Sequence, residues 1–202
     1  MQKQRGNGKG LTDTFRYVDD FKTELVTDAS GKTRKKTTYI GIWYVLRETG
    51  SQTVGMLIGA AALAVCTAVL GGFVLLTNHA GSGSYWVLIP HGAALFPALY
   101  LLMGAASLPY WQKPMRRDQY MHGFVRMQRS SVAVLAITAV GMIASVVVRA
   151  IAGDWMFLSG DIRYYAEGAA MLLACGAILF LLGRIDLAEY PNSYWKEEPR
   201  NR

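Results

Sequence analysis

Trp111–Arg129 reads WQKPMRRDQYMHGFVRMQR, and long apolar runs stand on both sides of it. In this stretch Lys113, Arg116, Arg117, Arg126 and Arg129 face a single acid, Asp118. A basic segment between two apolar runs is first a topology signal, because inner loops of membrane proteins carry an excess of Lys and Arg. The flanking runs decide the class. Hydrophobic residues make up 52% of the 202-residue chain and charged residues 17%, with a mean hydropathy of +0.20. A soluble domain carries closer to about 25% charged residues.

Working outward, the run before the basic segment covers residues 85–108 and the run after it residues 130–151. Two more runs cover 54–76 and 166–185. At about 1.5 Å per residue, the first of these is about 34 Å long, enough to cross a hydrocarbon core of about 30 Å. The last has Glu167 near one end and Arg184 near the other, so flanking aromatics must complete it. The expected fold is an all-α integral membrane protein of four transmembrane helices. The link 77–84, TNHAGSGS, is short and uncharged, which makes the first two spans an antiparallel pair.

Before the spans, residues 1–12 are Gly/Lys/Gln-rich and expected to be disordered. No apolar stretch follows MQKQRGNGKGLTDTF, so no cleavable signal peptide is expected there. Residues 13–50 form an N-terminal cytoplasmic or interfacial segment. Within it, two β-prone stretches flank Asp28-Ala29-Ser30-Gly31, the pattern of a β-hairpin. Residues 39–48, YIGIWYVLRE, suit either the end of the second strand or a short interfacial helix. The four spans with their links occupy 51–186, and 187–202 form a cytoplasmic tail.

The formal net charge of +7 is unevenly placed. Residues 1–53 hold ten Lys/Arg against six Asp/Glu, whereas 77–86 hold none of either. With both termini and the 109–130 segment inside, nineteen of the 21 basic residues are cytoplasmic, and only Arg149 and Arg163 lie outside. The expected location is a cytoplasmic membrane of bacterial type, with both termini inside. The basic groups Lys32, Arg34, Lys35, Lys36, Lys113, Arg116, Arg117, Arg126 and Arg129 would meet anionic lipid or a cytoplasmic partner, each worth about 1 kcal/mol near an anionic surface. Nucleic acid is not an expected partner, since no recognition motif stands outside the spans.

Small residues recur at Gly55, Gly59, Ala60, Ala64, Ala68 and Gly72 in the first span, and at Gly141 and Ser145 in the third. Such rows let helices approach closely. In the second span, Pro90 and Pro97 bracket His91, and each proline predicts a kink or local unwinding. A broken helix with a nearby histidine could form a ligand or ion pathway with Pro90, His91, Pro97, Arg149 and Glu167. Against this, His91 has no acidic companion in a span, and Arg149 can snorkel to the interface. Residues 152–165, amphipathic and aromatic, could lie along the outer surface. Cys66 and Cys175 are expected to be buried free thiols. No metal or cofactor is expected, because no Cys/His cluster, GxxxxGK[ST], HExxH or GxSxG motif occurs.

The sequence therefore points to a non-enzymatic accessory or scaffolding subunit that self-associates or joins other membrane subunits. The alternatives are a small-solute or ion transporter and, third, a membrane enzyme acting on lipid through the outer charges. The topology is directly testable. With Cys66 and Cys175 replaced by alanine, a single cysteine at Ser82 is expected to react with an impermeant reagent from outside. One at Gln119 should react only after permeabilisation, and the opposite pattern would reverse the arrangement.

Overall fold

A computed structural model of the chain describes residues 20–27, 31–47, 50–77, 84–108, 114–153 and 161–191. Its four long helices are α1 (Ser51–Leu76), α2 (Tyr85–Ala106), α3 (Arg117–Ile151) and α4 (Ile162–Gly183), all long and apolar enough to cross a membrane. Each packs on its sequence neighbours, and α1 closes on α4, giving an up-down ring. The class is thus a membrane protein of four apolar helices.

The bundle sorts its side chains by size and polarity more than by hydrophobicity. Inward positions of α1 are Thr53, Leu57, Ala60, Ala64, Thr67, Gly71 and Val74. Those of α3 include Ser130, Ser131, Val134, Thr138, Gly141, Ser145 and Arg149. Large apolar residues such as Val65, Phe73, Phe96, Val140, Ile143 and Phe180 point outward. In lipid, outward apolar groups gain nothing from being hidden, so association rests on close packing and internal hydrogen bonds. Two glycines set the tightest crossing. A Cβ on Gly104 would lie 2.7 Å from Met127 Cγ, and one on Gly123 would lie 3.0 Å from the Ser107 carbonyl oxygen.

Five strands accompany the helices: β1 (Phe21–Thr27), β2 (Thr33–Tyr39), β3 (Trp43–Leu46), β4 (Met115–Arg116) and β5 (Leu187–Tyr190). β1 and β2 form an antiparallel ribbon that pairs Phe21 with Tyr39 and Thr27 with Thr33. Gly31 takes a φ of +78° where the chain re-enters β2, a conformation that favours glycine. β3 is the central strand of a second sheet, ordered β4-β3-β5. Trp43 pairs with Arg116 on one edge and with Tyr190 on the other. Arg47 extends the ladder by donating its N–H to the Asp186 carbonyl at 3.1 Å, and its guanidinium meets the Asp186 carboxylate at 3.1 Å. Tyr44 and Leu46 pack into one core with Leu57, Leu101, Phe124 and Ile178, so this sheet seals one end of the bundle.

Several expectations change. The fold is not purely helical outside a hairpin, because the stretch at 39–48 supplies strand β3, with no interfacial helix there. The tail at 187–202 begins as strand β5 rather than as a free polar end. The third helix, expected over 130–151, starts at Arg117, so most of the basic segment is helix and not loop. A π-helical turn at Met121–Val125 interrupts its otherwise α-helical start. The first helix starts at Ser51, the second ends at Ala106, and the fourth runs 162–183 rather than 166–185. No unwinding occurs at either proline: α2 continues through Pro90 and Pro97. Residues 1–12, the turn residues 28–30, Lys113, residues 154–160 and residues 192–202 lie outside the described residues.

The close crossing yields a paired prediction. Gly104→Ala is expected to destabilise the protein by about 1–2 kcal/mol, overpacking outweighing the helical gain from alanine. Gly72→Ala, with open space at its Cβ position, should be neutral or stabilising by up to about 1 kcal/mol. Unfolding in mild detergent measures both.

Candidate functional site

Two clusters carry the polar chemistry, one at each end of the bundle. At the end opposite the sheet, every helix contributes. Arg149, in the last turn of α3, forms an ion pair with Asp161, the residue preceding α4. Both are almost closed off, at 6% and 8% exposure, so Arg149 does not snorkel to water. A buried charge of this kind persists because its partner is equally buried beside it.

His91 is buried beside the pair's helices, and the Gly141 backbone lies against its ring, where a Cβ would come within 2.3 Å of Cε1. Its Nδ1 is 2.8 Å from the Val87 carbonyl oxygen. A carbonyl only accepts, so Nδ1 carries the proton, and in the neutral ring Nε2 then accepts from Tyr164 O–H at 3.2 Å. Ser145 Oγ and Tyr165 Oη lie 3.1 Å apart. Glu167 receives Arg163 Nε on one oxygen and Thr77 Oγ1 on the other, each at 2.8 Å.

Pro90, His91, Arg149 and Glu167 therefore lie toward one end of the bundle. Pro97 is about 10 Å deeper along α2. Asp161, Tyr164, Tyr165 and Thr77 complete the cluster, and the tyrosines were not among the expected site residues. Asp161, Tyr164 and Gly168 share one inward face at helical spacing, but the spacing does not say which neighbour that face meets. Among the described residues, no group of three or more His, Cys, Asp or Glu could hold a metal ion.

At the sheet end, Tyr39 joins the ribbon to the bundle. Its hydroxyl donates to the Ile42 carbonyl at 2.7 Å and accepts the Arg117 N–H at 3.0 Å, capping the first residue of α3. Burial pushes the Tyr39 phenol above its ordinary value, against the opposing pull of that N–H. It stays protonated and able to donate. Arg116 is committed to the same joint: its guanidinium lies over Phe21 and Tyr39, 5.7 and 6.0 Å from the ring centroids, and meets Asp118 at 3.3 Å. Lys32, Arg34, Lys35 and Lys36 lie exposed on the ribbon, while Arg117, Arg126 and Arg129 follow α3.

The small-residue rows divide. Ala60, Ala64, Gly141 and Ser145 are buried between helices, a Cβ on Gly59 would lie 3.6 Å from Leu181 Cδ1, and Gly55 and Gly72 face open space. Ala68 is half-buried, and Cys66 is exposed while Cys175 is buried.

Comparison with family models, curated proteins and solved structures finds no match. The class is set by the four helices alone.

The buried ion pair makes a quantitative prediction. Arg149→Met and Asp161→Asn alone are each expected to cost about 3–5 kcal/mol, because each strands a buried partner. The double variant should cost less than their sum, giving a coupling of about 1–3 kcal/mol in a double-mutant cycle. Additive losses would show that the pair is not coupled.

Proposed function

We propose that this chain is a non-enzymatic multi-pass membrane protein that serves as an accessory or scaffolding subunit of a larger membrane complex. The observation that carries this reading is the β1–β2 ribbon, which exposes nearly every residue on both of its faces. A lone two-stranded ribbon is marginal in water, and among the described residues no further strand pairs with its outer edges, which are open to pairing. Among the described residues, Tyr39, Phe21 and Arg116 anchor it to the bundle, all at one end. Such an element gains most when another protein covers it. The buried polar groups support the same view, since their hydrogen bonds tie helix to helix.

A solute pathway beside Pro90 has less support, because both ring nitrogens of His91 are used within the bundle. The chain would sit in a cytoplasmic membrane with the sheet end inside. The sheet groups the segments before α1, between α2 and α3, and after α4 on one side, and the basic excess falls on that side. Metal and cofactor have no part in this proposal.

The mass of the gently extracted particle tests it. Full-length chain from its native membrane is expected in a particle well above the 22.2 kDa of the polypeptide with its detergent. Replacing residues 21–39 by a short Gly-Ser link should release it as a monomer. A clean monomer from the unaltered chain would overturn the proposal.

A further inference from the structure

Arg126 stands out among the basic residues of α3 because its guanidinium is held in place without being neutralised. Its Nη2 donates to His122 Nδ1 at 2.8 Å, one turn earlier on the same helix. Its Cζ lies 5.6 Å from the centroid of Tyr100, on the neighbouring α2. A guanidinium can only donate, so His122 Nδ1 must accept, which leaves Nε2 as the protonated nitrogen of the neutral ring. Among the described residues, neither Arg126 nor the exposed Arg129 pairs with a carboxylate. His122, Arg126 and Arg129 recur at helical spacing and share one face of α3.

The position of this face identifies what it meets. Tyr100 is 55% exposed and stands among Phe96, Leu99 and Met103, outward apolar residues of a spanning helix. On a helix long and apolar enough to cross a membrane, such an outward surface is the one that acyl chains would cover. Crossing about 30 Å takes about 20 helical residues. Counted from Tyr85 along α2, that length ends near Gly104, which packs on Met127. Counted from Ile151 back along α3, it ends near Ser131. Arg126 and Arg129 lie at or beside this boundary by either count, at the depth of the headgroup phosphates.

We infer that Arg126, with Arg129, His122 and Tyr100, forms a site for the phosphate of an anionic phospholipid on the lipid-facing groove between α2 and α3. Tyr100 and His122 hold the guanidinium plane so that its remaining N–H groups are available to the phosphate, the geometry in which Arg binds such oxyanions best. Arg129 adds the second positive charge that distinguishes an anionic headgroup from a zwitterionic one. The acyl chains would lie along Phe96, Leu99 and Met103. This inference is independent of the scaffolding proposal, since it concerns lipid and not particle mass.

Native mass spectrometry of the full-length chain in mild detergent tests it, with dioleoyl phosphatidylglycerol and dioleoyl phosphatidylcholine as probes. Phosphatidylglycerol is expected to be retained about tenfold better, the scale of a charge-assisted contact. Arg126→Gln should remove about tenfold of that retention, and Arg129→Gln or Tyr100→Leu about threefold each. Lys35→Gln, on the ribbon, should leave it unchanged. If Arg126→Gln does not fold, Arg129→Gln at its exposed position decides alone. Equal retention of the two lipids, or wild-type retention by Arg129→Gln, would overturn the site. Soluble glycerophosphoglycerol should not compete at millimolar concentration; competition as effective as the lipid's would overturn the lipid assignment in favour of a free anion.

Discussion

The pairing of Trp43–Leu46 with strands on both of its edges is the constraint on which the arrangement of the helices depends. β3 runs into α1, β4 runs directly into α3, and β5 follows α4, so three of the four helices are fixed to one small sheet. Strand hydrogen bonds have definite register, and a slip of one residue would turn Tyr44 and Leu46 away from the core they share with Leu57 and Ile178. Apolar packing between the helices does not by itself hold their ends in line, because in a bilayer apolar side chains pack about as well on lipid as on one another. The sheet supplies outside the bilayer the register that hydrophobic burial cannot supply inside it.

The opposite end solves the same problem with side chains. There the ion pair of Arg149 with Asp161, the His91–Tyr164 bond and the Ser145–Tyr165 bond link α3, α2 and α4. Each group is costly to bury alone and far less costly when paired. Between the two ends, the middle relies on small residues and on weak contacts such as Thr138 Oγ1 to Met171 Sδ at 3.8 Å. The bundle is therefore pinned at both ends and packed loosely in chemistry, though tightly in space, between them.

The four long apolar helices were legible in the sequence because about 20 apolar residues are needed to cross a bilayer, and runs of that length are rare otherwise. The beginning of α3 was not legible. Arg117–Arg129 is too polar for the hydrocarbon core, yet it is helical because Tyr39, 78 positions earlier, caps the Arg117 N–H, Tyr120 stacks on Tyr44, and Phe124 packs into the core. Likewise β5 is ordinary tail sequence whose strand form exists only against β3. Pro90 and Pro97 predicted a break from local sterics, and the helix persists because neighbouring helices hold it on both sides. For the polar cluster, the residue types His91, Arg149 and Glu167 were visible in advance. Their partners Tyr164 and Thr77 were not, since which faces meet is a property of the closed ring.

The overhang of α3 separates two kinds of basic surface that the sequence presents as one. Gly104 of α2 packs on Met127, so the start of α3 at Arg117 stands about 15 Å beyond that level. Tyr39 caps that start, which places the base of the ribbon at the same height. Seven residues of strand make the ribbon about 23 Å long. Lys32, Arg34, Lys35 and Lys36 lie exposed on the ribbon beyond that joint. Arg126 and Arg129 remain at the level of Met127, beside the outward apolar residues of α2. Charge alone would assign all six to the same ligand. Position along α3, fixed by the joint between Tyr39 and Arg117, divides them into two groups.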